Sequence, residues 1–470
     1  VSHLERWETR NATPEAILAS LRRPPLDVLA RQELPGAETL FGRPLTALEG
    51  VREILASVRE GGVPALLRWT RTLDGAALGA EDLWVGPEEM EAARERVDPA
   101  LLASIRRARE RIEAFHRAEP VPHAWHRVDS DGLVLGQEVR PLRRVGLYVP
   151  GGRAPLFSSL LMGAVPARVA GVGEVVVATP PRRDGSVPPA ILAAAAEAGV
   201  ARVLRAGGAQ AVAALAYGLE GVLEPVEKIV GPGNLFVTLA KREVFGQVGI
   251  DGLPGPSEVL VVADATANPE WVAADLLAQA EHDPDASAVL VTASEGLLQA
   301  VEAALARQLQ RLDPQGDGVA RRSLERWGKA LLCRDLAEAV AWAGRLAPEH
   351  LELAVEDPWR WVGRVGAAGA IFLGHAASEP LGDYLAGPDH ILPTNGAARF
   401  SSGLSVETFL IRSSLIGYSD EALRRDGPAA VRMARAEGLE AHARAVEIRL
   451  EAGGPGGADE GPAPGKEGEA

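Results

Sequence analysis

Thiols are almost absent from this chain of 470 residues: Cys333 stands alone, so neither an intrachain disulfide nor a thiolate zinc site can form. Lysine is nearly missing too, confined to Lys228, Lys241, Lys329 and Lys466, and arginine carries almost all the positive charge. With the abundant glycine, alanine and proline, that bias reflects either genome composition or adaptation to heat. No run of about 20 apolar residues exists, since Pro166 and Arg168 interrupt the longest candidate. The opening residues Ser2-His3-Leu4-Glu5-Arg6 lack the apolar core of a signal peptide. A net charge of −15 argues against nucleic acid or an anionic membrane as the main partner. The expectation is a protein of the reducing cytoplasm. At 47% hydrophobic residues it can bury large cores, and its length suggests several domains.

Residues 1–45 are amphipathic and rich in Arg and Pro, and are expected to form a helical arm. From 46 to 140 the pattern is mainly helical. It then changes sharply: Val145-Gly146-Leu147-Tyr148-Val149 is a short apolar run closed by Pro150-Gly151-Gly152, which predicts a buried strand. Strand-like runs at 174–179 and 201–204 alternate with helical stretches at 158–169, 190–198 and 209–217. Runs at 259–263 and 288–292 flank another helix, and 370–373 is a later strand of that layer. Strands alternating with helices of this length predict parallel sheets covered by helices. Beyond 405 the chain is expected to be helical, with Met433, Leu439, Val446 and Leu450 as an apolar stripe. Residues 453–470 are low-complexity and acidic, and are expected to be disordered.

Polar residues that can carry chemistry cluster in a few segments. Gln279-Ala280-Glu281-His282 sets an oxygen and a nitrogen donor three residues apart, on one face if the segment is helical. Its plain alternative is an exposed polar turn at a helix N-terminus. Glu349-His350 follows Pro348, and reads equally as the acidic first turn of a helix. Gly382-Asp383-Tyr384 precedes His390 by a short loop, and Glu437 and His442 lie near the C-terminus. His3, His116, His123, His126 and His375 are read as structural, the third and fourth lying in a Pro/His/Trp loop without a carboxylate at metal spacing. No G-x-G-x-x-G opens a helix after a strand; Gly231-Pro232-Gly233-Asn234 lacks the third glycine.

Taken in order and with the surrounding glycine-rich text, including Ala398-Arg399-Phe400-Ser401-Ser402-Gly403, this set resembles the histidinol dehydrogenases over roughly residues 45–450. The resemblance implies two Rossmann-like parallel-sheet domains of aldehyde-dehydrogenase type, one inserted in the other, with small helical terminal elements forming a swapped dimer. It places a discontinuous α/β domain at 46–147 and 259–404, the inserted domain at 148–258, and a C-terminal arm at 405–452 reaching the partner site. It implies Zn²⁺ held by Gln279, His282 and Asp383, with His442 supplied by the partner chain. It further implies Glu349 and His350 as the catalytic pair, and NAD contacts at Tyr148, Gln210 and Asn234. Substrate contacts would come from Ser257, His390 and Glu437, besides the metal ligands and His350. Asp389 stands where the family pattern leads one to expect Asn.

The implied reaction takes L-histidinol to L-histidine with two NAD⁺ and water. A rival reading is an aldehyde dehydrogenase with a thiolate nucleophile, but Cys333 sits among apolar neighbours with no histidine nearby. A zinc-binding sensor that has lost the chemistry is a second rival, against which the intact Glu349-His350 pair counts.

Overall fold

The computed structural model describes residues 3–151, 155–316 and 318–452. The tail 453–470, expected to be disordered, lies outside the described residues. Two six-stranded sheets dominate the main unit, residues 3–119 and 141–409. The first runs, edge to edge, Glu5–Glu8, Gly328–Leu332, Ser287–Thr292, Glu258–Ala263, His350–Ala354 and Ala370–Leu373, all parallel. Its central strands are continuous apolar runs such as Val259-Leu260-Val261-Val262, buried on both faces by helices.

The second sheet runs Trp84–Val85, Arg202–Arg205, Glu174–Thr179, Arg144–Tyr148, Lys228–Val230 and Gly249–Ile250, parallel except for its first strand. Apart from one added edge strand, each sheet has its first strand in chain order at the centre and reverses direction beside it. That is the doubly wound arrangement, with a crevice at the reversal. Among the described residues no helix is long and apolar enough to cross a membrane.

Three expectations are corrected. The N-terminal arm is not purely helical: Glu5–Glu8 is an edge strand on the first sheet, and the helix Pro14–Leu21 buries Ile17 and Leu21 beside Leu351 and Trp342. Segment 46–147 packs chiefly on the second sheet's helices, although its helix Pro99–Ala118 also meets the turn Gly382–Ala386 of the 259–404 stretch. Its helix Ala47–Trp69 packs on Gly208–Tyr217, and Pro87–Arg96 and Pro99–Ala118 pack on Pro189–Glu197 and Phe157–Val169. The expected boundary at 147/148 therefore cuts through the central strand of the second sheet, whereas the nesting of one α/β domain in the other holds. An apolar stripe requires that a helix be covered but does not say by which sheet.

The last correction concerns the second compact unit, residues 120–140 and 410 onward, described to 452. Its two stretches were expected to be helical, yet they supply a three-stranded sheet in the order Leu410–Gly417, Val134–Pro141, Trp125–Val128. The last two of these strands pair antiparallel, and Gly136 is required there because a Cβ would meet the Trp125 carbonyl oxygen at 2.4 Å. Helices Asp420–Ala436 and Glu440–Ala452 complete the unit and pack on each other. Val128, Ile416, Tyr418, Met433 and Ile448 remain exposed in it.

Candidate active site

Helix Leu336–Leu346 ends at Ala347, which adopts a left-handed conformation (φ 50°), and Pro348 then prevents the helix from resuming. Glu349-His350 therefore opens a strand rather than the first turn of a helix. His350 is held between two neighbours in the ladder, in register with Val259 and Ala370. Its Nδ1 lies 3.0 Å from the Glu258 carbonyl oxygen. A carbonyl only accepts, so Nδ1 carries the proton and Nε2 keeps its lone pair. Among the described residues Nε2 is buried without a hydrogen-bond partner, and it lies 3.8 Å from Asp383 Oδ1. Burial holds the imidazole pKa below its ordinary value, against the opposing pull of Asp383.

Glu349 is buried beside it. Its Oε2 accepts the backbone N–H of Glu258 at 2.8 Å and sits 3.7 Å from His350 Nδ1. Burial, followed by the charge of Glu258, raises its pKa well above the usual carboxylate value. Glu258 is tied in turn to Arg23 at 2.5 Å, whose guanidinium also donates to the Asp285 carbonyl at 2.9 Å. Sequence reasoning missed Arg23, since an arginine among several in a Pro-rich arm carries no signal of its target. Ser257, the residue before this strand, is half-buried at the same edge.

Gln279 and His282 are not at a helix N-terminus. They lie at the C-terminal end of Pro269–Ala280, with Gln279 in the last turn and His282 just beyond it. Gln279 is fully buried, and neither its oxygen nor its nitrogen has a partner among the described residues. An orphaned amide of this kind calls for a ligand. Asp383 sits in the wide turn Gly382–Ala386. Side-chain donor atoms of His282, Asp383 and Glu379 all fall within 4.8 Å of one another. One nitrogen and several oxygens, with the unpartnered Gln279 amide three residues before His282, fit Zn²⁺ with open positions.

Glu379 was not foreseen; in Ser378-Glu379-Pro380 it reads as an ordinary acid in a first helical turn. It lies 3.9 Å from His350 Nδ1 and donates its backbone N–H to Glu352 Oε1 at 2.8 Å. Burial raises the carboxyl pKa values of both Glu379 and Glu352, and that of Asp275 to about 6.

His390 completes this wall. Its Nδ1 faces the Asp383 carbonyl oxygen at 3.0 Å and its Nε2 the Ser159 hydroxyl at 3.0 Å. Nδ1 thus donates to the carbonyl, and the serine hydroxyl, able to donate or accept, fixes the other side of the ring. Asp389, in place of the expected Asn, is buried; its Oδ1 accepts the Ile391 N–H at 2.7 Å and its Oδ2 is 3.8 Å from His116 Nε2. Burial raises the Asp389 pKa well above its ordinary value.

Tyr148, Gln210 and Asn234 all lie at the carboxyl ends of the second sheet's strands, around its reversal point. Tyr148 is buried and its hydroxyl accepts the Gly208 N–H at 3.1 Å. Gln210 is fully buried in the helix after Arg202–Arg205, with its Oε1 unpartnered among the described residues. Asn234 caps helix Leu235–Val244, accepting from Phe236 and Val237 at 3.1 Å each. Glu437 and His442 belong to the second unit, one ending the helix Asp420–Ala436 and the other in Glu440–Ala452, both exposed. Cys333 is buried and its thiol pKa is pushed up to about 12 by that burial, which disqualifies it as a thiolate nucleophile.

A family model described as histidinol dehydrogenase matches residues 44–450. The chain is 56% identical over 411 residues to a histidinol dehydrogenase of Moorella thermoacetica, covering 87% of this chain and 96% of that protein. Identity to the histidinol dehydrogenase of Deinococcus radiodurans is 54% over 413 residues, covering 88% and 93%. The crystal structure of histidinol dehydrogenase from Elizabethkingia anophelis superposes with a TM-score of 0.85 at 34% identity, covering 96% of this chain and 99% of that one.

Proposed function

The chain belongs to the histidinol dehydrogenase family, and from that premise we propose that it oxidises L-histidinol to L-histidine through bound histidinal. Two NAD⁺ accept the hydrides and Zn²⁺ is required, in the final steps of histidine biosynthesis. The observation that carries this reading is the buried, unpartnered Nε2 of His350, its tautomer set by a backbone carbonyl and its lone pair turned toward Asp383.

Gln279, His282 and Asp383 would hold the metal, with the partner subunit's His442. Zn²⁺ bound there would supply a template for the imidazole and amino nitrogens of the substrate. NAD⁺, as hydride acceptor, would lie against Tyr148, Gln210 and Asn234, where the unpartnered Gln210 amide oxygen supports a polar ligand. His350 Nε2 takes the hydroxyl proton as hydride leaves the carbinol carbon. Glu349, whose burial makes its carboxylate a stronger base than usual, assists water in adding to the aldehyde. His350, freed of its proton, then acts again on the diol. Ser257, His390 and Glu437 would contact the substrate, Glu437 opposite its ammonium.

A homodimer with shared sites is part of this reading. Its support is the exposed position of Glu437 and His442, on a small unit whose apolar side chains lie open. A cytoplasmic setting fits the lone buried thiol.

The test is to count NADH. Each histidinol should yield two NADH without free aldehyde, and Glu349→Gln should slow oxidation of added histidinal at least as much as that of histidinol. One NADH per substrate with accumulating aldehyde would overturn the four-electron reading. Normal histidinal oxidation by Glu349→Gln would remove the water-activating role.

A further inference from the structure

The corner around Gly207-Gly208 is built by a residue outside the expected set. Asp74 ends the wide turn Thr70–Asp74, which continues the long helix Ala47–Trp69, and Gly75 beyond it is left-handed (φ 75°). The carboxylate of Asp74 accepts the Gly207 N–H at 3.2 Å and the Gln210 Nε2–H at 3.1 Å through the same oxygen, Oδ2. Both glycines are explained by this approach. A Cβ on Gly207 would lie 2.7 Å from Asp74 Oδ1 and 2.6 Å from Pro180 Cβ. A Cβ on Gly208, itself at φ +57°, would lie 2.8 Å from Gln210 Oε1.

A carboxylate only accepts, so it fixes which way the Gln210 amide faces: nitrogen to Asp74, oxygen away. Among the described residues that oxygen is buried with no partner, and the Thr179 hydroxyl, at the strand end beside Pro180 and against Gly151, is likewise buried and unpartnered. Two waiting polar groups beside a helix start point to a ligand. The N-terminal end of helix Gly208–Tyr217 would ordinarily attract a phosphate. Here an acid already occupies it. Burial pushes the Asp74 pKa up to about 6, which still leaves a carboxylate at pH 7.5.

We propose that Asp74 is a positioning residue that holds the Gln210 amide with its oxygen outward, to accept a hydrogen bond from a neutral donor of the dinucleotide. By the same placement it keeps phosphate out of this corner. The donor is a ribose hydroxyl or the nicotinamide carboxamide NH₂. The inference rests on the reading of this corner as the NAD⁺ site.

Calorimetric NAD⁺ binding to the full-length protein tests it with Asp74→Asn, Gln210→Ala and the double variant. Each single change is expected to weaken NAD⁺ about tenfold, the loss of one buried hydrogen bond. The double variant should be no weaker than Gln210→Ala, because the support Asp74 gives to NAD⁺ binding runs through that amide. Analogues identify the source. A 3-acetylpyridine dinucleotide lacks the NH₂ and deoxyribose dinucleotides lack a hydroxyl; the one missing the true donor should bind wild type about tenfold more weakly, with no such penalty in Gln210→Ala.

Fully additive losses would overturn the positioning role while leaving the nucleotide site in place. Unchanged NAD⁺ affinity in Gln210→Ala would overturn the reading of the site itself. Should Asp74→Asn fail to fold, the Gln210 side-chain NH₂ resonances of the wild type decide. They should stay put and exchange slowly as NAD⁺ is added, and a large shift would mean that the amide turns its nitrogen to the ligand.

Discussion

Replacing His350 by Ala removes one base from a rigid frame, and its cost can be worked from the geometry. The ring is the first residue of a strand paired on both sides, and its Nδ1–H is committed to the Glu258 carbonyl. Nothing has to rearrange before Nε2 accepts a proton. Because burial lowers the imidazole pKa, the base is already neutral at pH 7 and stays so somewhat below the ordinary histidine range. The variant should therefore lose the whole general-base factor, about 10²–10⁴ in kcat, or roughly 3–5 kcal/mol of barrier. The loss should be the same at pH 7 and pH 8. KM for histidinol should change little, since the proposed grip on the substrate lies with the metal ligands. The assay is steady-state NADH production from pH 5 to 9 on protein of verified zinc content and unchanged melting temperature. In wild type the acid limb of kcat should fall below about pH 6.5, and in His350→Ala that limb should vanish. A loss smaller than tenfold, or an unchanged acid limb in the variant, would refute the reasoning.

Zinc should be present at one per chain without a sulfur ligand: chelation should abolish activity while leaving helical content largely intact, and Cys333→Ala should keep the metal. Loss of metal in Cys333→Ala, as read by elemental analysis, would contradict the ligand set. Asp275 has its pKa raised to about 6, so its contribution to stability is present below its ordinary value of 3.8 and is lost as pH rises through about 6. Asp275→Asn should then melt higher than wild type above pH 6, by about 1–3 kcal/mol, with the advantage shrinking toward pH 4; an equal or lower melting point at pH 8 would count against it. Co-refolding His350→Ala with His442→Ala chains should restore roughly a quarter of wild-type activity, if His442 serves the partner's site. A mixture that stays inactive, with heterodimers confirmed by mass, would place His442 in its own chain's site.

Parallel sheets were legible because runs such as Val259 to Ala263 and Val175 to Ala178 are buried on both faces, and so read as uninterrupted apolar text. Their helical partners were not, because the stripe of Ala47–Trp69 says only that something covers it. The edge strand Glu5–Glu8 and the sheet of the second unit were missed for a related reason: half-exposed strands with charged or mixed faces lack the continuous signal of a buried one. At the site, Glu349-His350 stood out as a pair, but the same Pro-Glu-His text suits a helix start or a strand start. The left-handed Ala347 that decides between them is a fact of tertiary structure. Glu379, Arg23 and Asp74 left no trace, each being an ordinary charged residue in a helical or loop context until the fold brings it to a buried partner.

The two sheets share one winding order but present opposite edges. His350 and Glu349 stand at the amino ends of the first sheet's strands, and Tyr148 and Gln210 at the carboxyl side of the second. On the proposed chemistry, the groups that clamp the substrate and those that seat the dinucleotide thus hang from separate frames. On that reading, exchange of the first NADH for a fresh NAD⁺ need not disturb the strand that carries the base. The proposed base, held in its strand ladder, would then meet the aldehyde in the position from which it met the alcohol.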